Sequence, residues 1–379
     1  MRHLFLLLLF LISISSWAQK DSIKHQNLEF TGDFRFRIEH DWNSQKTNGT
    51  LRDNRSRLRY RFRFGLNYAI DKHSSFGGRI RSGNINDQQG PHVTIGGNKG
   101  EFGLTQIGFE KLFYKYKRKN LIGWFGKNSI PLKKLNELFW NDNVFPEGLG
   151  LEYKVYENET KFLNLLALSA GHFIIQSNNQ TFNKDSYLQI AQLDLKIFRN
   201  RINIFPGFYS FKKIGNFPDG EQTFNLNYSI FHLGCDVEIA NKPKLNLGVE
   251  FYNNFEDYSN HDSIPSILKG QKKGFVISIR YGEIKKKGDW LVHLYYANVQ
   301  KFAIVDYFAQ NDWARWDYSS IGATGSRISN FQGIELKIGY AFKEKFNLIL
   351  RSYFVEELIQ SGNFKENGNR VRLDLNIGF

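Results

Sequence analysis

The chain has 379 residues, with 51 Lys and Arg against 37 Asp and Glu, a formal net charge of +14, 35 Phe, 18 Tyr and one cysteine, Cys235. So much apolar and aromatic residue excludes a disordered chain, and a lone cysteine excludes a disulfide framework or a multi-cysteine metal cluster. The basic charge permits nucleic acid, acidic lipid or anionic solutes as partners without choosing among them.

Residues 1–18 have the layout of a secretory signal peptide. A short basic start, Met1-Arg2-His3, precedes an apolar run from Leu4 to Ile14, and Ser16-Trp17-Ala18 supplies small residues before Gln19. The run is short of the roughly 20 apolar residues a spanning helix needs. The remainder, 19–379, then reads as one domain outside the cytoplasm. With no later apolar run long enough to span, a membrane location requires a closed β-barrel, because only helices and closed barrels satisfy their backbone groups in lipid.

Period-two alternation runs through this domain. Leu28, Phe30, Phe34, Phe36 and Ile38 share one face of a strand, with Asp33, Arg35, Arg37 and Glu39 on the other. Leu58, Tyr60, Phe62, Phe64 and Leu66 oppose Arg57, Arg59, Arg61 and Arg63; Ile334, Leu336, Ile338, Tyr340 and Phe342 oppose Glu335 and Lys337. A 3.6-residue period would scatter these side chains. Strands are expected at about 28–39, 56–69, 74–84, 104–117, 120–128, 148–157, 160–173 and 186–198. Eight more are expected at 201–211, 223–240, 243–256, 273–282, 289–300, 328–343, 345–357 and 370–379. The links alternate between short (such as Arg118-Lys119, Asn158-Glu159 and Arg199-Asn200) and long (40–55, 85–103, 129–147, 257–272, 301–327, 358–369). The expected fold is therefore all-β: a transmembrane antiparallel barrel of about sixteen strands, with eighteen as the alternative count, and both termini periplasmic. A sandwich or propeller has no reason to sort its links this way.

Aromatics recur beside the short turns: Tyr68, Phe76, Tyr116, Trp124, Tyr156, Phe162, Phe198, Trp290, Phe342 and Phe346. They are expected at one membrane–water interface, where amphipathic rings are favoured. The last segment alternates from Val371 to Phe379 and resembles the terminal strand by which the barrel assembly machinery recognises its clients.

Three stretches carry a family likeness. They are Arg55-Ser56-Arg57-Leu58-Arg59-Tyr60-Arg61-Phe62-Arg63, Arg81-Ser82-Gly83-Asn84-Ile85-Asn86-Asp87, and Phe139-Trp140-Asn141-Asp142-Asn143-Val144-Phe145-Pro146-Glu147-Gly148. Together they resemble the "putative porin" family of Bacteroidota outer-membrane barrels, with Ser82 in place of the usual Thr and Asn141 in place of the usual first Asp. The likeness covers about 28–157, and the region is more loosely similar to alginate-export barrels. It implies a passive channel in the bacterial outer membrane and no catalytic residues. Large barrels of this kind often form homo-trimers, for which the sequence carries no interface signature.

With apolar residues toward lipid, the opposite parity lines a water-filled bore, since a barrel of this size is too wide to be filled by strand side chains. Arg35, Arg37, Arg57, Arg59, Arg61, Arg63, Arg79 and Arg81 then form one basic wall, continued outward by Arg55. Rings of like charge favour counter-ions, so anionic small solutes or acidic oligosaccharides are the expected cargo. The competing expectation is that Glu29, Asp33, Glu39 and Glu110, of the right parity, pair with this wall. Segment 129–147 is the expected constriction, with Pro131 to Trp140 forming about two helical turns and Lys133, Lys134, Glu137, Trp140, Asn141, Asp142 and Glu147 offered to the solute. An outer loop packed on its own apolar residues is the alternative.

No metal or other cofactor is expected: the nine His lack ligand spacing, and no G-x-S-x-G elbow or phosphate loop occurs. Nucleic-acid binding fits the charge but not the leader or the apolar outer faces. A non-conducting adhesive or structural barrel, with Trp313, Trp316, Gly322 and Gly325 of the 301–327 loop meeting extracellular partners, and a barrel-borne hydrolase are the remaining readings.

Overall fold

The computed structural model describes residues 27–97, 102–215, 225–310, 312–313, 329–360 and 362–379. The expected signal peptide, together with Trp316, Gly322 and Gly325, lies outside the described residues. Seventeen strands form one sheet. They begin with β1 (Leu28–Gln45), β2 (Arg55–Ala69), β3 (Ser74–Ser82), the two-residue β4 (Val93–Thr94), β5 (Ile107–Arg118) and β6 (Leu121–Lys127). There follow β7 (Glu147–Glu157), β8 (Leu163–Gln176), β9 (Ser186–Ile197), β10 (Ile202–Gly215), β11 (Asn225–Asn241) and β12 (Lys244–Asn254). The last are β13 (Lys273–Gly282), β14 (Trp290–Val299), β15 (Phe331–Lys343), β16 (Phe346–Glu357) and β17 (Asn367–Gly378).

Each strand pairs antiparallel with its neighbour, and β1 closes the ring on β17, with Arg37 opposite Asp374 and Asp41 opposite Arg370. The result is a closed sixteen-stranded antiparallel barrel. The extra strand β4 pairs with Arg59 and Tyr60 of β2 beyond the end of β3, and two residues show no period by which a sequence could announce them. Short turns collect at one rim with both described chain ends, where Phe379 and Gly32 exchange backbone hydrogen bonds of 3.1 and 3.0 Å. No helix among the described residues is long and apolar enough to cross a membrane, so the strands do the crossing.

The alternation decides which face is out. Phe30 (58% exposed), Leu149 (57%) and Ile334 (43%) point away from the ring, and no second sheet among the described residues covers them. Exposure of apolar side chains over most of the outer wall fits lipid and would be untenable in water. At the short-turn rim Phe162 meets Phe198 edge-on at 5.3 Å, and tilted ring pairs join Trp290 to Tyr340 at 4.8 Å and Phe342 to Phe346 at 5.1 Å. Trp124 is a correction to this girdle. It takes the inward parity of β6, only 6% exposed, lies over Gly150 and stacks on Phe173 at 5.7 Å.

A second correction concerns the interior. On the side of β8 to β14 it is not open. Inward residues such as Phe173, Leu188, Tyr209, Phe211, Ile230 and Tyr252 join loop residues Leu138, Phe139, Trp140 and Phe302 to Ala309 in one buried apolar cluster. The strands alone leave a wide bore, as expected, but the long loops fold inward and bring their own apolar side chains to fill it.

Candidate inner channel site

The nine ladder arginines lie on the faces opposite the exposed apolar residues of β1, β2 and β3, and Arg37, Arg61, Arg63 and Arg81 are buried. They are heavily ion-paired. Arg37 donates two hydrogen bonds, 2.6 and 2.9 Å, to the Asp374 carboxylate; Arg55 pairs with Asp41 at 2.9 Å; Arg57 and Arg59 share Glu39; Arg61 pairs with Asp33. Glu110 sits among Arg63, Arg79 and Arg81 at 2.5, 2.7 and 4.0 Å. Arg35 is held by Asn376 at 2.6 Å and is 3.7 Å from Asp374. Glu29 is exposed near the short-turn rim.

The pairing expected from Asp33, Glu39 and Glu110 is thus present, but three further arginines (Arg351, Arg370, Arg372) and four further carboxylates (Asp41, Asp312, Glu335, Asp374) join the wall that the sequence alone does not single out. Barrel closure brings Arg370 and Arg372 of β17 beside β1, and β16 adds Arg351, which meets Glu335 at 3.5 Å and Glu137 at 3.8 Å. The signal was available: Val371, Leu373 and Leu375 outward place Arg370, Arg372 and Asp374 inward. Twelve arginines meet eight carboxylates in this network. Toward the short-turn rim Lys111, Lys115 and Lys117 of β5 line, with Arg79, a further hollow of about 450 Å³.

Loop 129–146 folds into the ring. Gly126 (φ +109°) and Gly148 (φ +152°) face each other where it leaves β6 and enters β7, and a Cβ at Gly148 would collide with the His172 carbonyl oxygen. The expected helical turns over 131–140 do not form; the chain runs as extended backbone and bends. Lumenal side chains take the backbone groups that a helix would pair internally. Gln192 accepts from Lys133 N–H at 2.7 Å and donates to Lys133 C=O at 3.0 Å, and the Asn136 side chain accepts from Leu138 N–H at 2.7 Å. Phe139 stacks on Tyr209 (4.6 Å) and Tyr252 (5.3 Å) on the far wall, and the Asn136 amide donates to Glu250. The loop therefore spans the interior from β6 to β12.

Of the constriction candidates, Trp140 and Asn141 are buried, Glu137 meets Arg351, Lys134 bonds Asp142 at 2.5 Å, and Lys133 lies 3.6 Å from Asp194. Glu147 is not part of this group. It begins β7 on the outward parity and pairs with Lys127 at 2.6 Å, both exposed. Pro146 and Gly148 turn the chain into the strand one residue before the inward face.

A second loop, 300–313, packs against the first. Asn141 N–H donates to Phe308 C=O (2.8 Å), Gln310 N–H to Glu137 C=O (2.9 Å), and Trp140 stacks on Phe308 at 4.8 Å. Its end reaches the polar wall: Asp312 pairs with Arg370 at 3.1 Å and with Arg372, and the buried Trp313 indole donates to Glu335 at 3.1 Å. Trp313 is therefore an interior anchor. Segment 83–92 completes the group. Arg81 donates to the carbonyls of Ser82, Asn84 and Asp87, and the Gln89 amide donates to Ala309 C=O at 2.8 Å.

Electrostatics fix the protonation of the loop groups. Burial would raise the Asp312 carboxyl, but the guanidiniums of Arg372 and Arg370 outweigh it and hold the group well below the carboxylate range. Glu137 is likewise lowered, with Arg351 and Lys134 overcoming burial. Burial, reinforced by Arg37 and Arg59, pushes His92 well below its ordinary value and leaves it neutral. No group of three or more His, Cys, Asp or Glu among the described residues could hold a metal ion. Between wall and loops lies a polar cavity of about 280 Å³, which shares Glu137, Gln310, Lys337 and Arg351 with a neighbouring one of about 290 Å³.

An inward-facing charged wall inside a closed, lipid-faced ring defines an outer-membrane β-barrel of the porin type. Residues 47–229 match the model of the family described as Putative porin, the family that the arginine strand and its two companion stretches resemble. Solved structures share the fold. Pseudomonas putida OprB is similar with a TM-score of 0.57 at 12% identity, covering 93% of this chain and 94% of that one. Salmonella typhi OmpF in complex with daunomycin gives 0.55 at 10% (93% and 98%), and OmpT of Vibrio cholerae, in its trimer form, 0.52 at 11% (93% and 99%). No curated protein sequence matches the chain. Family and fold point to an outer-membrane channel rather than an enzyme.

Proposed function

We propose that this barrel is a passive diffusion channel that favours small anionic solutes or acidic oligosaccharides, driven by the solute gradient. The observation that carries the reading is the surplus of guanidinium over carboxylate on the inner wall, twelve against eight, with Lys337 added and no ion pair made by it among the described residues. Arginine stays charged at any working pH, and a surplus facing a narrow, poorly screened space concentrates counter-ions. Inward loops 129–146 and 300–313 narrow the passage and set its size limit. Residues 1–18 direct export, the strand ending at Phe379 engages the assembly machinery, lipid surrounds the barrel, and a homo-trimer is the proposed assembly by analogy with the trimer form of Vibrio cholerae OmpT. Planar-bilayer conductance with a panel of anions, neutral sugars and acidic oligosaccharides tests the reading: anions should carry most current, and acidic oligosaccharides should interrupt it.

The apolar cluster that fills the β8 to β14 side favours a second reading, a non-conducting structural or adhesive barrel. Absence of any channel current from correctly folded protein would select it.

A further inference from the structure

The pairing on the polar wall is incomplete in a particular way. Arg61, Arg63, Arg370 and Arg372 are each more than nine-tenths buried and fixed by a carboxylate. Yet Arg61 Nε, Arg63 Nε, Arg370 Nη2 and Arg372 Nε, all buried, have no acceptor among the described residues. All four guanidiniums border the 280 Å³ cavity, and Lys337 lines it too. A guanidinium offers five N–H donors and no acceptor, so these groups compete for too few oxygens. A buried donor left without an acceptor is destabilising, the more so when charged.

We propose, resting on the reading of this barrel as a channel, that the cavity is a saturable binding site for one oxyanion group of the solute: a carboxylate, sulfate or phosphate. Such a group brings what the wall lacks, several acceptor atoms and a negative charge, in the planar or tetrahedral geometry that guanidinium forks match. Chloride brings the charge without that geometry. The site is preorganised: Asp33, Glu110 and Asp312 hold the arginines in place, so little side-chain freedom is lost on binding. Its position between wall and inward loops puts every passing solute against it. A solute thus moves by binding and release at this point, and the current it carries levels off with concentration.

The test uses full-length protein in detergent, titrated calorimetrically with inorganic phosphate, sulfate, acetate and chloride at constant ionic strength. Phosphate, sulfate and acetate should give saturating isotherms, each tighter than chloride. Lys337→Gln removes a charge with no ion-pair partner among the described residues, so it leaves no buried acid unpaired; it should weaken phosphate binding about tenfold, the equivalent of 1.4 kcal/mol. Arg372→Lys keeps the charge and loses the fork, and should also weaken it. In bilayers, added phosphate should reduce chloride current to a plateau. Non-saturating isotherms, or affinity unmoved by both substitutions, overturn the site. An anion-selective channel with no plateau keeps the proposed function and removes the site. Saturable phosphate binding by a protein that passes no current keeps the site and removes the channel.

Discussion

The two halves of the inner wall obey the same alternation and do opposite things with it. From β16 through β17 and β1 to β5 the inward positions are rich in Arg, Lys, Asp and Glu, bonded mainly to one another. From β8 to β14 they are Phe, Tyr, Leu and His, and they receive the apolar side of loops 129–146 and 300–313. The loops lean on the wall that can bury them, and a polar cavity is left between them and the arginines. Burying charge without full compensation is costly, which is reason enough for the loops to stop at the arginines with a polar edge: Asn143 on Arg63 at 2.8 Å, Asp312 on Arg370.

The largest effect expected from disturbing this division is on conductance. Deleting 131–145 should raise single-channel conductance several-fold, because it removes the segment that crosses the interior; unchanged conductance would place the restriction elsewhere. Glu110→Gln takes the shared carboxylate from Arg63, Arg79 and Arg81. Removing one partner of a buried pair costs about 3–5 kcal/mol, to be read as a lower unfolding temperature, while the reversal potential in a salt gradient moves further toward the anion. Phe139→Ala loosens the loop from Tyr209 and Tyr252 and should cost about 3 kcal/mol or more, with new protease cleavage in 129–146. Lys134→Gln should change stability by no more than about 1 kcal/mol, because its partner Asp142 is largely exposed.

Asp312 and Glu137 are lowered in the folded barrel. Carboxyls of this kind contribute their full stabilisation above the unfolded value of roughly 4 and lose it only as pH falls through the lower folded value. His92 is held neutral. The two lowered carboxyls do not titrate between pH 5 and 8, so they add no pH dependence to conductance over that range. Below the ordinary carboxylate range the 300–313 loop should release from Arg370 and Arg372.

The barrel itself was legible because lipid outside and water inside impose period two on every strand, and most strand ends fell within a few residues of their expected positions, with β1 running on to Gln45 as the exception. The arginine strand was legible for the same reason. Legibility failed where partners meet through closure or loop insertion. Nothing local in Asp374 or Asp312 announces Arg37 or Arg372 as its partner, and the bends of 131–140 are set by Gln192 and Glu250, far away in sequence. Trp124 shows the limit of reading residue type without parity: an aromatic beside a short turn, but on the inward register.

The reversal potential of single channels in a potassium chloride gradient tests the arginine-lined bore most directly. Current through a bore that follows the arginine wall should reverse near the chloride equilibrium potential, and reversal near the potassium value would contradict it.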